Sequence, residues 1–298
     1  MLHQRIGKCS ARVAGLICWL AAWPALAVPF SFSTGDPDGK IATAALPAGG
    51  SLIESQTADD FILSTPTSIN HASFTGLLVN GASVGDINQV AVDIFRVFPS
   101  DSSSPPSGNV PTRVNSPADA ALDSRDAAAG TLSFSATLLN NSFTANSSVL
   151  YGGIHPFPNQ TTGGNGPVTG TEVQFDISFA TAFTLAADHY FFAPEVGLNT
   201  GDFLWLSAPK PIVAPGDPFF PDLQSWIRDA SLSPDWLRVG TDIVGGSPAP
   251  TFNAVFSLSG DAAGSGTGSV PEPSTIALFV LGAAGMSAAA SRKKSQSR

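Results

Sequence analysis

An all-β chain, built as a two-sheet antiparallel sandwich, is what three features of the sequence predict. Apolar and polar residues alternate with period two over several stretches. The 29 glycines and 24 prolines interrupt the chain too often for a helical bundle or a coiled coil. Twenty phenylalanines and a hydrophobic content of 43% are too many for disorder over 298 residues. A jelly roll is one form such a sandwich takes.

The first element is a leader. Residues 1–27 read as a secretory signal helix. Arg5, Lys8 and Arg12 form its basic start, Val13 to Ala22 its apolar middle, and Ala25-Leu26-Ala27 a small-x-small cleavage site. The alternative is an uncleaved anchor, but the apolar run is short for a membrane span. Cleavage after Ala27, with Ala25 and Ala27 as the small residues, implies passage through the Sec translocon and signal peptidase. Both cysteines, Cys9 and Cys18, lie in this leader. The rest of the chain has no disulfide, no thiolate nucleophile and no cysteine ligand for zinc, so its stability rests on burial.

Residues 28–259 read as the sandwich domain, long enough for one sizeable core. In Thr131–Leu138, Leu132, Phe134, Ala136 and Leu138 share a face opposite Ser133, Ser135 and Thr137. In Glu172–Phe183, Val173, Phe175, Ile177, Phe179 and Phe183 share a face opposite Gln174, Asp176 and Ser178. In Thr251–Leu258, Phe252, Ala254, Phe256 and Leu258 alternate with Asn253 and Ser257. Further strands are expected at Pro29–Ser33, Ala58–Leu63, Ser68–Leu78, Gln89–Phe98, Tyr190–Gly197 and Phe203–Ser207. Long loops are expected at Pro99–Gly130, Gly152–Gly170 and Pro209–Pro221. One short helix is expected at Asp222–Ala230, with Asp222 as N-cap and Leu223, Trp226 and Ile227 on one side. Residues 260–270 read as a Gly/Ser linker. Asp59-Asp60-Phe61 near the start, and Asn253-Ala254-Val255-Phe256-Ser257-Leu258-Ser259-Gly260 at the end, resemble strand patterns in a class of secreted bacterial β-sandwich proteins. That resemblance implies a fold and brings no active site with it.

The last element is Val270-Pro271-Glu272-Pro273, followed by Ser274-Thr275, the apolar run Ile276–Ala290 and a basic tail containing Arg292, Lys293 and Lys294. The order of these parts over residues 271–298 resembles the PEP-CTERM sorting signal of Gram-negative bacteria. By that resemblance 276–290 is a transmembrane helix held in the inner membrane, and an exosortase cuts near Pro271–Pro273. The same resemblance implies an association with exopolysaccharide and biofilm matrix. The physics agrees: the run is a little short for a ~30 Å hydrocarbon core, flanking basic side chains can snorkel, and the basic tail stays on the cytoplasmic side. A plain C-terminal anchor is the alternative.

Between leader and signal, residues 28–270 carry seven basic residues against 22 acidic ones, a net of −15. So acidic a segment is repelled by nucleic acid and anionic lipid. No nucleic-acid partner is expected.

The chemistry-bearing residues are sparse. Gly81-Ala82-Ser83-Val84-Gly85 matches the nucleophile-elbow pattern in letters, but a strand rather than a helix should follow it, so it reads as a hairpin loop. His71, His155 and His189 form no metal-ligand spacing. Asp36-Pro37-Asp38-Gly39 fits a type I turn, and its two carboxylates, with Asp59 added, are the candidate calcium ligands. No other cofactor is expected. Trp226-Ile227-Arg228 and Trp236-Leu237-Arg238 suggest a glycan contact made by Trp226, Arg228, Trp236 and Arg238, if the indoles face solvent. Otherwise those rings close one end of the core. No catalytic constellation is visible. The expected protein is therefore a non-enzymatic, exported structural or adhesive component of the cell surface or extracellular matrix, transiently anchored in the inner membrane. The alternatives are a secreted carboxylate-dependent glycan hydrolase or lyase, and a calcium-stabilised carbohydrate-binding module.

Overall fold

Alternation along the chain becomes inside-outside partition in the computed structural model, which describes residues 28–48, 54–103, 108–154, 161–209 and 222–263. Its strands are β1 (Val28–Ser33), β2 (Ile41–Ala44), β3 (Ser55–Leu63), β4 (Thr67–Val79), β5 (Ile87–Arg96), β6 (Asp123–Asp126), β7 (Leu132–Ala145), β8 (Ser147–Val149), β9 (Val168–Leu185), β10 (Asp188–Leu198), β11 (Asp202–Ala208), β12 (Trp226–Asp229), β13 (Leu237–Arg238), β14 (Asn253–Ala254) and β15 (Phe256–Ala262). They form two sheets, one of nine strands and one of six.

The nine-stranded sheet is organised around β4. One edge of β4 pairs with β9 along nearly its whole length, and β9 pairs in turn with β7. The other edge is shared. Its first part, Thr67 to Phe74, pairs with β15, beyond which lies β1. Its last part, Gly76 to Val79, pairs with β11, which leads on to β2 and β8 and also carries β14. Gly76 makes this handover possible: a Cβ there would lie 2.3 Å from the Phe203 ring. All of these pairings are antiparallel except β2 with β8, which is parallel. The six-stranded sheet runs β13-β12-β3-β10-β5-β6, antiparallel throughout.

The core lies between the sheets. Phe61, Val90, Val92, Ile94, Tyr190 and Phe192 from the six-stranded sheet meet Phe32, Phe74, Phe175, Phe203, Trp205 and Phe256 from the other. Phe74 stacks on Phe175 at 4.8 Å, and Phe192 stacks on Phe256 across the sheets at 5.1 Å. The Trp205 indole donates to the Val255 carbonyl at 2.7 Å, so its polar atom is satisfied inside. Each fully buried large side chain contributes roughly 1.5–3 kcal/mol, which is how the domain coheres without a disulfide.

Three expectations are corrected. Asp222–Ala230 is not helical: Trp226–Asp229 is strand β12, buried on both faces and paired with β3 and β13. Residues 260–262 are not linker, because β15 continues to Ala262 and Gly260 pairs with both Phe30 and Ile69. The segment 99–130 is not simply a loop: it supplies β6, and Ser116 and Ala118 bond to the backbone at Phe98 and Arg96.

Candidate functional site

The outward faces of the two sheets differ, and the expected contact residues fall on the wrong one for contact. On the six-stranded sheet, Ala58, Phe95, Phe191, Ala193 and Trp226 point away from the main core and are covered by Leu223 and Trp236. Trp226 and Trp236 are 1% and 0% exposed. Their indoles donate to the Leu223 and Ala118 carbonyls. The expected glycan contact at Trp226, Arg228, Trp236 and Arg238 is therefore corrected: both rings are core. Arg228 lies over the Trp236 ring at 4.3 Å and donates to Gln56 at 2.8 Å. Arg238 is held by Asp242 in a two-pronged ion pair.

Arg113 holds this cap in place. It is 1% exposed, yet every one of its guanidinium nitrogens is bonded. It donates to Asp235 at 2.7 Å, Asp119 at 2.9 Å, Ser116 at 3.0 Å and the Pro117 carbonyl at 3.2 Å. Its partners come from its own loop and from the turn before β13, so one buried cation ties two irregular segments onto the sheet.

Beneath the cap lie carboxylates that sequence reading did not single out. The register sets Asp93 of β5 opposite Ala193 of β10, one diagonal step from Glu195 on the same face. Burial pushes the Glu195 carboxyl up to about 8, and the nearby Asp93 and Glu54 charges add to the effect. Among the described residues its Oε1 has no hydrogen-bond partner. Burial raises Asp93 as well, against hydrogen bonds from Ser124 and Gln56. Arg228 is pulled down to about 10 by burial and still carries its charge at neutral pH. The adjoining cleft, of about 150 Å³, is lined by Glu54, Gln56, Arg228, Asp229, Ala230 and Ser233, and by neither Asp93 nor Glu195.

The outward face of the nine-stranded sheet is open where β7, β9, the first part of β4, β15 and β1 run side by side; toward β11 and β2 the same side is apolar and buried, with Ala42, Ala44, Leu77, Val79, Leu204 and Leu206 packed together. Five strands place their polar residues in register. One row runs Ser133, Ser178, His71, Ser259, Ser31, and the next runs Ser135, Asp176, Ser73, Ser257, Ser33. Neighbouring strands set the groups of a row about 4.8 Å apart, and alternate residues set the rows about 6.8 Å apart. Ser31, Ser33, His71, Ser133, Ser135, Asp176 and Ser178 are all exposed. Neighbours bond sideways, Ser73 to Ser257 at 2.7 Å and His71 to Ser178 at 3.2 Å. A shallow hollow lined by His71, Ser133, Phe134, Ser135, Asp176 and Ser178 lies on this face. Asp176 is the one acid in these two rows, in a segment whose net charge is −15. The sequence carried a signal for the face in three Ser-apolar-Ser triplets: Ser31-Phe32-Ser33, Ser133-Phe134-Ser135 and Ser257-Leu258-Ser259.

The candidate calcium ligands are not brought together. Asp38 accepts from the Lys40 amide at 3.0 Å and the Ser207 hydroxyl at 2.5 Å, and pairs with the Lys40 ammonium. Asp59, fully buried, accepts from the Ala254 amide at 2.9 Å and the Ser225 hydroxyl at 3.3 Å, pinning β3 to β14. Asp36 is exposed. Among the described residues no group of three His, Cys, Asp or Glu side chains could hold a metal ion. Asp60 points to the other side of β3 and meets His189 at 2.7 Å. His71 lies on the open face, and His155 is outside the described residues. Ser83 caps a single 3-10 turn through Asp86 and is followed by β5, so it lies in a loop.

Ala25, Ala27, Val270, Pro271, Glu272, Pro273, Arg292, Lys293 and Lys294 lie outside the described residues, as do the leader and 276–290. Among the described residues no helix is long and apolar enough to cross a membrane. The domain is thus an all-β, two-sheet protein with one capped face and one face that is open over five of its strands. Residues 269–294 match the PEP-CTERM protein-sorting motif, so the chain carries that signal. The motif implies export, membrane-associated sorting and processing by an exosortase. No curated protein and no solved structure matches the chain.

Proposed function

We propose that this is a structural or adhesive protein of the cell surface or extracellular matrix, and that the open face of the nine-stranded sheet is its contact surface for neutral, polyhydroxylated material such as exopolysaccharide. On this reading the leader is cleaved after Ala27 by signal peptidase. The helix at 276–290 holds the chain in the inner membrane until an exosortase cuts near Pro271–Pro273. The observation that carries the reading is the pair of registered hydroxyl rows, nearly free of charge on an otherwise acidic domain. A flat lattice of hydroxyls donates to and accepts from sugar hydroxyls equally well. Its low charge suits an uncharged partner rather than an ionic one. The closed cap argues against a catalytic reading, since Asp93 and Glu195 do not line the cleft beside them.

The test has two arms. Cell fractionation of the chain with and without residues 271–298 should show membrane retention only with the signal; unchanged retention contradicts the sorting step. Co-sedimentation of the exported chain with exopolysaccharide from the same cells should fall sharply in S133E/S135E; unchanged binding contradicts the contact surface.

A further inference from the structure

The edges of the two sheets are not equally protected. A bare edge offers unpaired backbone groups to any other strand, and folded proteins blunt such edges with charge, proline, shortness or a bulge. Among the described residues, β1 carries Pro29, β6 reads Asp-Ser-Arg-Asp, β8 has three residues, and β13 has two and ends in Arg238. The edge strand β7 is different. It has 14 residues, none of them charged and none glycine or proline. Among the described residues it pairs only with β9. Its register is unbroken from Leu132 to Leu138 and bulges only beyond that point. Leu138 and Leu139 are 48% and 47% exposed, large apolar side chains at the point where the regular edge ends.

We propose that β7 pairs with β7 of a second copy of this chain, antiparallel and about a two-fold axis at Ser135, so that the two nine-stranded sheets become one. Self-pairing is what the strand's composition fits. Two domains of net charge −15 repel each other, and β7 is a long edge where neither copy presents a charge. A two-fold at Ser135 sets Phe134 opposite Ala136 of the other copy and Leu132 opposite Leu138. The apolar side of each strand then meets the apolar side of its neighbour, and the exposed Leu138 is covered. On the other side Ser133 falls opposite Thr137 and Ser135 opposite Ser135, which continues the hydroxyl rows across the junction. The interface is isologous, as closed dimers require.

Directly opposed residues in an antiparallel pair have Cα atoms about 4.5–5.5 Å apart, within disulfide range. The full chain in detergent, with Cys9 and Cys18 replaced by Ser, should sediment as a dimer at micromolar concentration. On mild oxidation S135C should cross-link to its own copy, while S33C on the β1 edge should not. L138K, at an exposed position that leaves the core untouched, should weaken dimerisation about tenfold or more, because it removes the covered leucine contact and adds charge to the edge. A chain that stays monomeric and forms no S135C cross-link overturns the proposal, whether the edge is then bare or taken by a different partner. Equal cross-linking of S135C and S33C overturns it too.

Discussion

The two outward faces are made from the same kind of strand, yet one is buried under loops and the other is bare over the five strands from β7 to β1. On the six-stranded sheet the outward positions hold Phe95, Phe191 and Trp226, so the chain must cover them, and segments around Arg113 and Trp236 do so. On the nine-stranded sheet the outward positions of β7, β9, β4, β15 and β1 hold serine, with His71 and Asp176 among them, and need no cover; only toward β11 and β2 is that side apolar and buried. The aromatic residues that seemed suited to contact serve stability. The serines on the polar side of the alternating strands form an accessible surface.

The largest expected effect is on the cap. Arg113→Ala removes the cation that joins Asp119 and Asp235 and leaves one buried and one half-buried carboxylate without it. Loss of one partner of a buried pair costs about 3–5 kcal/mol, to be read by chemical denaturation. Trp236→Ala should cost a similar ~3–5 kcal/mol through the cavity it leaves. If either variant is instead as stable as the parent, the cap is not the closed structure described.

The next effect is on pH. Glu195 binds its proton more tightly when folded, with a value of about 8 against an ordinary 4.5. The folded state therefore holds a proton that the unfolded chain has lost, so stability falls as pH rises from about 4.5 through 8 and levels off above that. Asp93, also raised by burial, works in the same direction. Glu195→Gln, which keeps the shape without the charge, should flatten the decline in melting temperature between about pH 5 and pH 9. A decline of unchanged slope in that variant would move its origin elsewhere.

Smaller effects belong to the open face and the Asp36 turn. S178A or S135A should change stability by less than about 0.5 kcal/mol, as exposed substitutions do. Calcium should leave the melting temperature nearly unmoved, because Asp38 and Asp59 are engaged by Lys40, Ser207, Ser225 and Ala254. A rise of several degrees with calcium would revive the calcium-stabilised module.

Much of the fold was legible from alternation alone. Thr131–Leu138 became the start of Leu132–Ala145, and Glu172–Phe183 fell within Val168–Leu185, because one face of each strand meets the core and the period of two survives. Short strands buried on both faces were not legible. Ile41–Ala44 is buried at every position and shows no alternation. Trp226–Asp229 is the same, and Leu223, Trp226 and Ile227 fit a helical spacing by coincidence. Asp123–Asp126, rich in charge, was hidden by its composition. Of the candidate site, the serine faces of Thr131–Leu138 and Glu172–Phe183 were visible one strand at a time. Their alignment across five strands depends on register, which no single stretch encodes. The buried charges at Arg113, Asp235 and Glu195 were not legible, because their burial comes from loops meeting far from one another in the chain.

One measurement bears most directly on the division between a working face and a closed one. Exopolysaccharide binding by the exported chain should be titrated for two variants that place a carboxylate on opposite sides of the sandwich: Ser178→Glu on the open rows, and Ser233→Glu at the mouth of the cleft beside Arg228. The account predicts that the first loses most of its binding while the second binds as the parent does. Loss of binding in the second alone would contradict it.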